Sequence, residues 1–150
     1  MLTLNGHRFA TSQTTYTDIH PERVAGKQAI YIQVILPIDT GIGVYAMVDT
    51  GAPYCIFDTE LVEVLGLSSD DGEKIPLLTA HGRQEGSIHR VTIRLPAEQG
   101  ESLEIDTSVY VTDEPWSHGN FLGYSAFLER FRFAVDPATN TFYFGAYDDA

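Results

Sequence analysis

Apolar residues fall in short runs along this chain, and most runs have the length of strands. Residues 29–36 (AIYIQVIL) are apolar or β-branched almost throughout, which predicts a strand covered on much of both faces. Pro37 ends that strand or confines it to an edge. After IDTGIG the apolar pattern returns at Val44–Val48, and the two runs read as a hairpin. Cys55–Phe57 is a further apolar entry. Asp58 then stands where a cap is needed for a short predicted helix, Thr59–Leu65, which Gly66 ends. A polar loop, Ser68–Glu73, leads to a predicted strand at Ile75–Thr79 and a glycine-bearing tip at Ala80–Gly86. Ser87–Leu95 alternates, with Ile88, Val91, Ile93 and Leu95 apolar and one slip of phase near Arg90. Ser102–Thr112 alternates again, after a turn at Pro96–Gly100. Asp113–Asn120 reads as a loop, Ser125–Arg130 as a second short helix, and FRFAVD-PATN-TFYFG as a closing aromatic hairpin. Residues 1–26 have poor periodicity and predict an irregular arm with at most one short strand. The acidic end, 147–150, is expected to fray.

The elements are therefore mainly β with one or two short helices. No composition shift marks a linker, so residues 1–150 read as one domain with its core within 29–145. A chain of 150 residues buries a sizeable core. Charge removes one class of function: a net charge of −12 disfavours nucleic acid, whose phosphates need Lys and Arg. One cysteine, Cys55, rules out an internal disulfide and suits a reducing compartment. MLTLNGHRFA lacks the apolar core of a signal peptide, and no apolar run reaches transmembrane length. These features predict a cytoplasmic protein.

The local pattern is broken most clearly at VYAMVDTGAPYCIF, residues 44–57, where a lone carboxylate, Asp49, lies between two apolar runs. A charge there is costly unless it is hydrogen-bonded or put to use, and function concentrates at such violations. A second Asp-Thr-Gly begins at Asp39, ten positions earlier. It follows a proline between two strands, where a turn is already required, and Asp and Gly suit turns. Asp39 is therefore assigned to the turn and Asp49 to chemistry.

Three features then occur in a telling order: apolar-apolar-Asp-Thr-Gly-Ala, a glycine-containing hairpin downstream, and Phe121-Leu122-Gly123 before a short helix and a closing hairpin. In this order, over residues 29–145, the chain resembles the retropepsin-like aspartic proteases, the single-domain retroviral type. The resemblance implies a closed or partly closed antiparallel β-barrel of the acid-protease kind, with one lobe per subunit. It also implies a homodimeric aspartic endopeptidase, with a peptide or protein as substrate and no cofactor. Peptide hydrolysis needs an activated water and a proton donor for the leaving amine. Two facing carboxylates supply both, because close like charges keep one of them protonated. This chain offers one suitable Asp, so a two-fold axis between two copies of Asp49 is the simplest closed arrangement.

The resemblance gives the neighbouring residues roles. Thr50 would hydrogen-bond across to the partner's loop. Gly51 and Ala52 would let the substrate backbone come close, and Gly123 would pack beneath the aspartate loop, where a side chain would clash. The hairpin tip, including Ala80, His81, Gly82, Arg83 and Gln84, would form a flap over the substrate. Pro53 and Tyr54 stand where retroviral members carry further acidic residues, and Tyr124 stands where they carry an arginine. Substrate anchoring and the dimer contact must therefore differ from theirs.

Other chemistries fit less well. The five histidines share no tight metal-ligand spacing, and no cysteine pair accompanies them, so no metal site is expected. A serine or cysteine protease needs a nucleophile with a histidine partner; no Gly-x-Ser-x-Gly is present, and Cys55 reads as a small buried residue. Two alternatives stay open. One is a retropepsin-like domain kept as a catalytically silent dimerisation or peptide-binding module. The other is an unrelated ligand-binding β-barrel.

Overall fold

A computed structural model describes residues 1–21 and 28–147. In chain order the elements are β1 (Leu2–Leu4), β2 (His7–Ala10), β3 (Ser12–Thr15), β4 (Tyr31–Leu36), β5 (Ile42–Asp49), β6 (Cys55–Ile56) and α1 (Thr59–Val64). There follow β7 (Glu73–Thr79), β8 (Gly82–Leu95), β9 (Leu103–Thr112), β10 (Phe121–Gly123), a 3-10 turn (Leu128–Arg130), β11 (Arg132–Asp136) and β12 (Thr141–Gly145). The expected mainly β class is what the chain adopts.

Six strands form a ring in the order β4-β5-β10-β6-β9-β8, closed by pairing of β8 with β4, and β7 extends it outward from β8. Neighbours are antiparallel except at two places, β5 with β10 and β6 with β9. The closing pair has a register of only Ile35 against Arg94. A net hydrogen bond contributes about 1 kcal/mol, whereas a fully buried large apolar side chain contributes roughly 1.5–3 kcal/mol. The ring is thus held shut mainly by its filling. Ile32, Val34 and Leu36 alternate inward from β4, Ile93 and Leu95 from β8, and Phe57, Leu122, Phe127 and Leu128 complete the core.

The closing aromatic hairpin is present, and its aromatics belong to this core. Phe131, Phe142 and Phe144 are buried, and Phe133 packs against them. The β4–β5 hairpin is also present, turning through residues 37–41 with Asp39 at φ +54° and Gly41 at φ +106°.

Four expectations need correction. The arm is not irregular where it is described. Leu2–Leu4 and His7–Ala10 form a hairpin about Asn5-Gly6, both at positive φ, and β3 adds to β12 as the edge of a three-stranded sheet. Residues 22–26 of that arm, like the end 148–150, lie outside the described residues. The second helix is reduced to a turn and one 3-10 turn. The Phe127, Glu129 and Arg130 amides donate to the carbonyls of Gly123, Tyr124 and Phe127, which lie four, five and three residues back, so no regular helical ladder forms. The tip at Ala80–Gly86 is shorter than expected. Pairing continues to Thr79 against Gly82, leaving a turn of Ala80 and His81. Asp58 precedes α1 but does not cap it; its Oδ1 accepts from the Gly119 amide at 2.9 Å. Gly66 does follow the end of α1, at φ +71°.

Candidate active site

β5 carries its apolar residues to Asp49 and stops, because Thr50-Gly51 turns the chain sharply. The Gly51 amide donates to Asp49 Oδ1 at 3.0 Å and the Ala52 amide to the Asp49 carbonyl at 3.3 Å. This is an Asx-type turn, in which the carboxylate satisfies the backbone two residues on. The arrangement leaves Asp49 half-buried at the wall of a cavity of about 490 Å³.

The downstream segment buttresses this loop. β10 runs parallel to β5, with Phe121 opposite Met47, Leu122 opposite Val48 and Gly123 opposite Asp49. A Cβ on Gly123 would stand 2.3 Å from the Tyr54 carbonyl oxygen and 2.7 Å from its nitrogen. No side chain fits there without moving the aspartate loop. Tyr124 and Ala126 then tie residues 52 and 53 to the same segment by backbone hydrogen bonds. Cys55 sits directly behind. Burial pushes its thiol up to about 11, against partial relief from the Gly123 backbone, the Thr107 hydroxyl and Arg130. A thiol held protonated and fully buried has no nucleophilic role at neutral pH.

The β7–β8 hairpin overhangs the cavity and lines it with Leu77, Leu78, Thr79, Ala80 and His81. Leu78 is 81% exposed. Tyr110, on β9 beneath the hairpin stem, donates its hydroxyl to the Ile75 carbonyl and lies 3.3 Å from that of Gln84, so it touches both hairpin strands. Burial first, then Glu85 and Asp113, hold its phenol above the usual range, which keeps it a donor. Gly86 passes over this tyrosine so closely that a Cβ would meet the Val111 carbonyl at 2.1 Å.

The opposite wall comes from the loop between β9 and β10. Trp116 is buried, and its indole donates to the Gly119 carbonyl at 2.9 Å. Its amide donates to Thr59 Oγ1 at 2.8 Å, and Asn120 Oδ1 accepts from the Asp58 amide at 2.9 Å. The loop is therefore clamped to the start of α1.

Of the residues singled out from sequence, Asp49, Gly51, Ala52, Ala80 and His81 line the one cavity. Thr50 is exposed and lies outside the cavity wall, and Gly123 lies behind it. Gly82, Arg83 and Gln84 lie along β8 away from the wall; Arg83 pairs with Glu85 at 2.9 Å on the surface. Sequence reasoning did not place His20, Tyr31, Met47, Trp116 or His118 at the site, yet all five line it. Trp116 carried one usable signal: a lone tryptophan in a polar loop needs a burial site and an indole partner. Asp49 is the only carboxylate lining the cavity among the described residues. Those residues contain no cluster of three or more metal-ligating side chains. No helix among them is long and apolar enough to cross a membrane.

A family model described as aspartyl protease matches residues 36–126, well over half of the chain. That span contains the Asp49 loop, the β7–β8 hairpin and Gly123. No curated protein matches. Among solved structures, a retropepsin-like aspartic protease from Rickettsia conorii is similar in fold, with a TM-score of 0.56 at 20% identity. The match covers 87% of this chain and 96% of that one. The chain belongs to the aspartyl protease family and carries the retropepsin-like fold.

Proposed function

We propose that this chain is an aspartic endopeptidase, one lobe of a homodimer whose active site pairs the two copies of Asp49. The observation that carries this reading is the placement of Asp49. Among the described residues it is the single carboxylate lining the cavity, with one oxygen already held by the Gly51 amide. Two such carboxylates across a two-fold axis share a proton, since both cannot ionise easily at close range. The ionised one takes a proton from the water that attacks the scissile carbonyl, and the protonated one donates to the carbonyl oxygen. The resulting tetrahedral intermediate collapses as a carboxyl proton passes to the leaving amine. Thr50 in the loop and Tyr124 beside Gly123 are both exposed, which leaves them free of the core for a partner's contact. The β7–β8 hairpin acts as the flap, closing on substrate and excluding water. Its backbone pairs with the peptide as an added strand.

The test is a diverse peptide library read by mass spectrometry. Wild-type chain and an Asp39→Asn variant are expected to cleave, and Asp49→Asn is expected to yield no products while keeping its fold. Turnover that persists in Asp49→Asn would sink the assignment. Peptide binding without products from the wild-type chain would favour the silent module.

A further inference from the structure

The tip of the β7–β8 hairpin is not simply held out over the cavity; it rests on the opposite wall. The His81 ring lies face to face with the His118 ring, with centroids 3.7 Å apart and planes 8° from parallel. Trp116 meets both edge-on, at 5.5 Å from His81 and 4.8 Å from His118. Phe121 adds a parallel ring 6.5 Å from His81. One histidine is thus on the movable element and the other on a loop clamped to α1 through Trp116 and Asp58. Both imidazoles are exposed at their outer faces, so protons reach them readily.

We propose that His81 and His118 form a pH-sensitive clasp, holding the flap tip down while at least one ring is neutral and releasing it when both are protonated. The proposal rests on reading the hairpin as the flap of a peptidase. Neutral imidazoles, or a neutral one and a cation, stack favourably, whereas two cations at this separation repel even in a watery environment. Histidine is the side chain whose ordinary titration lies between about pH 5 and 8.

On β8, Arg83 and Glu85 are paired with each other at 2.9 Å. Lys74 on β7 and Asp113 at the loop's start are paired at 2.8 Å. Asp58 accepts from the Gly119 amide, next in sequence to His118, and Asp49 and His20 line the same cavity as the two rings. The second proton meets the first at stacking distance, and release belongs to that step. His81 and His118 are positioning residues here: they set the flap, not the chemistry.

Trp116 is the only tryptophan in the chain and lies under both rings, so it reports the clasp directly. The measurement is acrylamide quenching of its fluorescence in full-length Asp49→Asn protein, at the two ends of the range from about pH 8 to 5. Quenching is expected to rise several-fold on the acid side, with unchanged far-ultraviolet circular dichroism. In the same background, His81→Phe keeps an aromatic stack that cannot charge, and quenching is expected to stay low at both ends. His81→Ala removes the clasp, and quenching is expected to be high at both. The proposal is overturned if the parent shows equal quenching at both ends, or if His81→Phe keeps the rise. Peptide cleavage by the wild-type chain is scored separately. A working clasp with no products refutes the peptidase reading alone, and products without the acid-side rise refute the clasp alone.

Discussion

Gly123 lies directly beside Asp49 in parallel register, and its missing side chain is the space that the Tyr54 backbone occupies. Gly123→Ala would force two backbone segments apart at a contact of 2.3 Å. Overpacking of this kind costs about 1–3 kcal/mol. The displaced segment is the aspartate loop, so activity is expected to fall more than stability. Thermal denaturation and cleavage rate measured on the same preparation check this. A variant with an unchanged midpoint and full activity would show that the loop yields freely.

Tyr110 links both strands of the hairpin to the barrel beneath. Tyr110→Phe keeps the ring in its buried site and removes only the hydroxyl, for an expected loss of about 1 kcal/mol. The loss should be local: amide exchange should quicken at Ile75–Gln84 while the protection of β4 and β5 is unchanged. Gly86→Ala is expected to be worse, because the Val111 carbonyl cannot move away as the end of a side chain can. Uniform loss of protection in Tyr110→Phe would mean that the hairpin is no separate unit.

Cys55 is expected to resist alkylation in the native chain at neutral pH and to react once the chain is unfolded. A thiol mass-tagging time course distinguishes the two. The sign of the pH effect follows from its raised value. Between the ordinary 9.0 and about 11, the unfolded chain loses the thiol proton and the folded chain keeps it. Stability linked to this group is therefore full below pH 9.0 and is lost as pH rises towards 11. Cys55→Ala is expected to lose less stability over that interval than the parent, as read from denaturant midpoints.

If the active site needs two copies of Asp49, activity depends on assembly. Specific activity is expected to fall on dilution, in step with dissociation observed by sedimentation. Mixing wild-type chain with an equal amount of Asp49→Asn, with exchange allowed, should lower activity to about half, the fraction expected for random pairing. Activity per wild-type chain that ignores both dilution and mixing would place the whole site within one chain.

Much of the barrel could be read from local pattern. β4, β8, β9 and the β11–β12 hairpin show strand periodicity because their partners are neighbours in the chain and one face of each is buried. Asp49 was distinguishable from Asp39 for the same reason, since apolar runs flank only the first on both sides. The N-terminal strands were missed. β1 and β2 are largely exposed and carry little alternation, although Asn5-Gly6 is a strong hairpin signal. β3 becomes a strand because β12, at the far end of the chain, offers it an edge.

What sequence alone determined is therefore the strand content, the barrel class and the choice of Asp49, the carboxylate that lines the cavity, over Asp39. These follow from periodicity and turn residues, which are local. Tertiary structure decided the rest. It left Ser125–Arg130 as turns with irregular bonds and tied the neighbouring Tyr124 and Ala126 amides to the Asp49 loop. It also carried pairing of the hairpin up to Gly82, and it set Trp116 and His118 against His81 across the cavity. Such contacts join residues far apart in the chain, and backbone amides and rings choose their partners only when the strands between them are already packed.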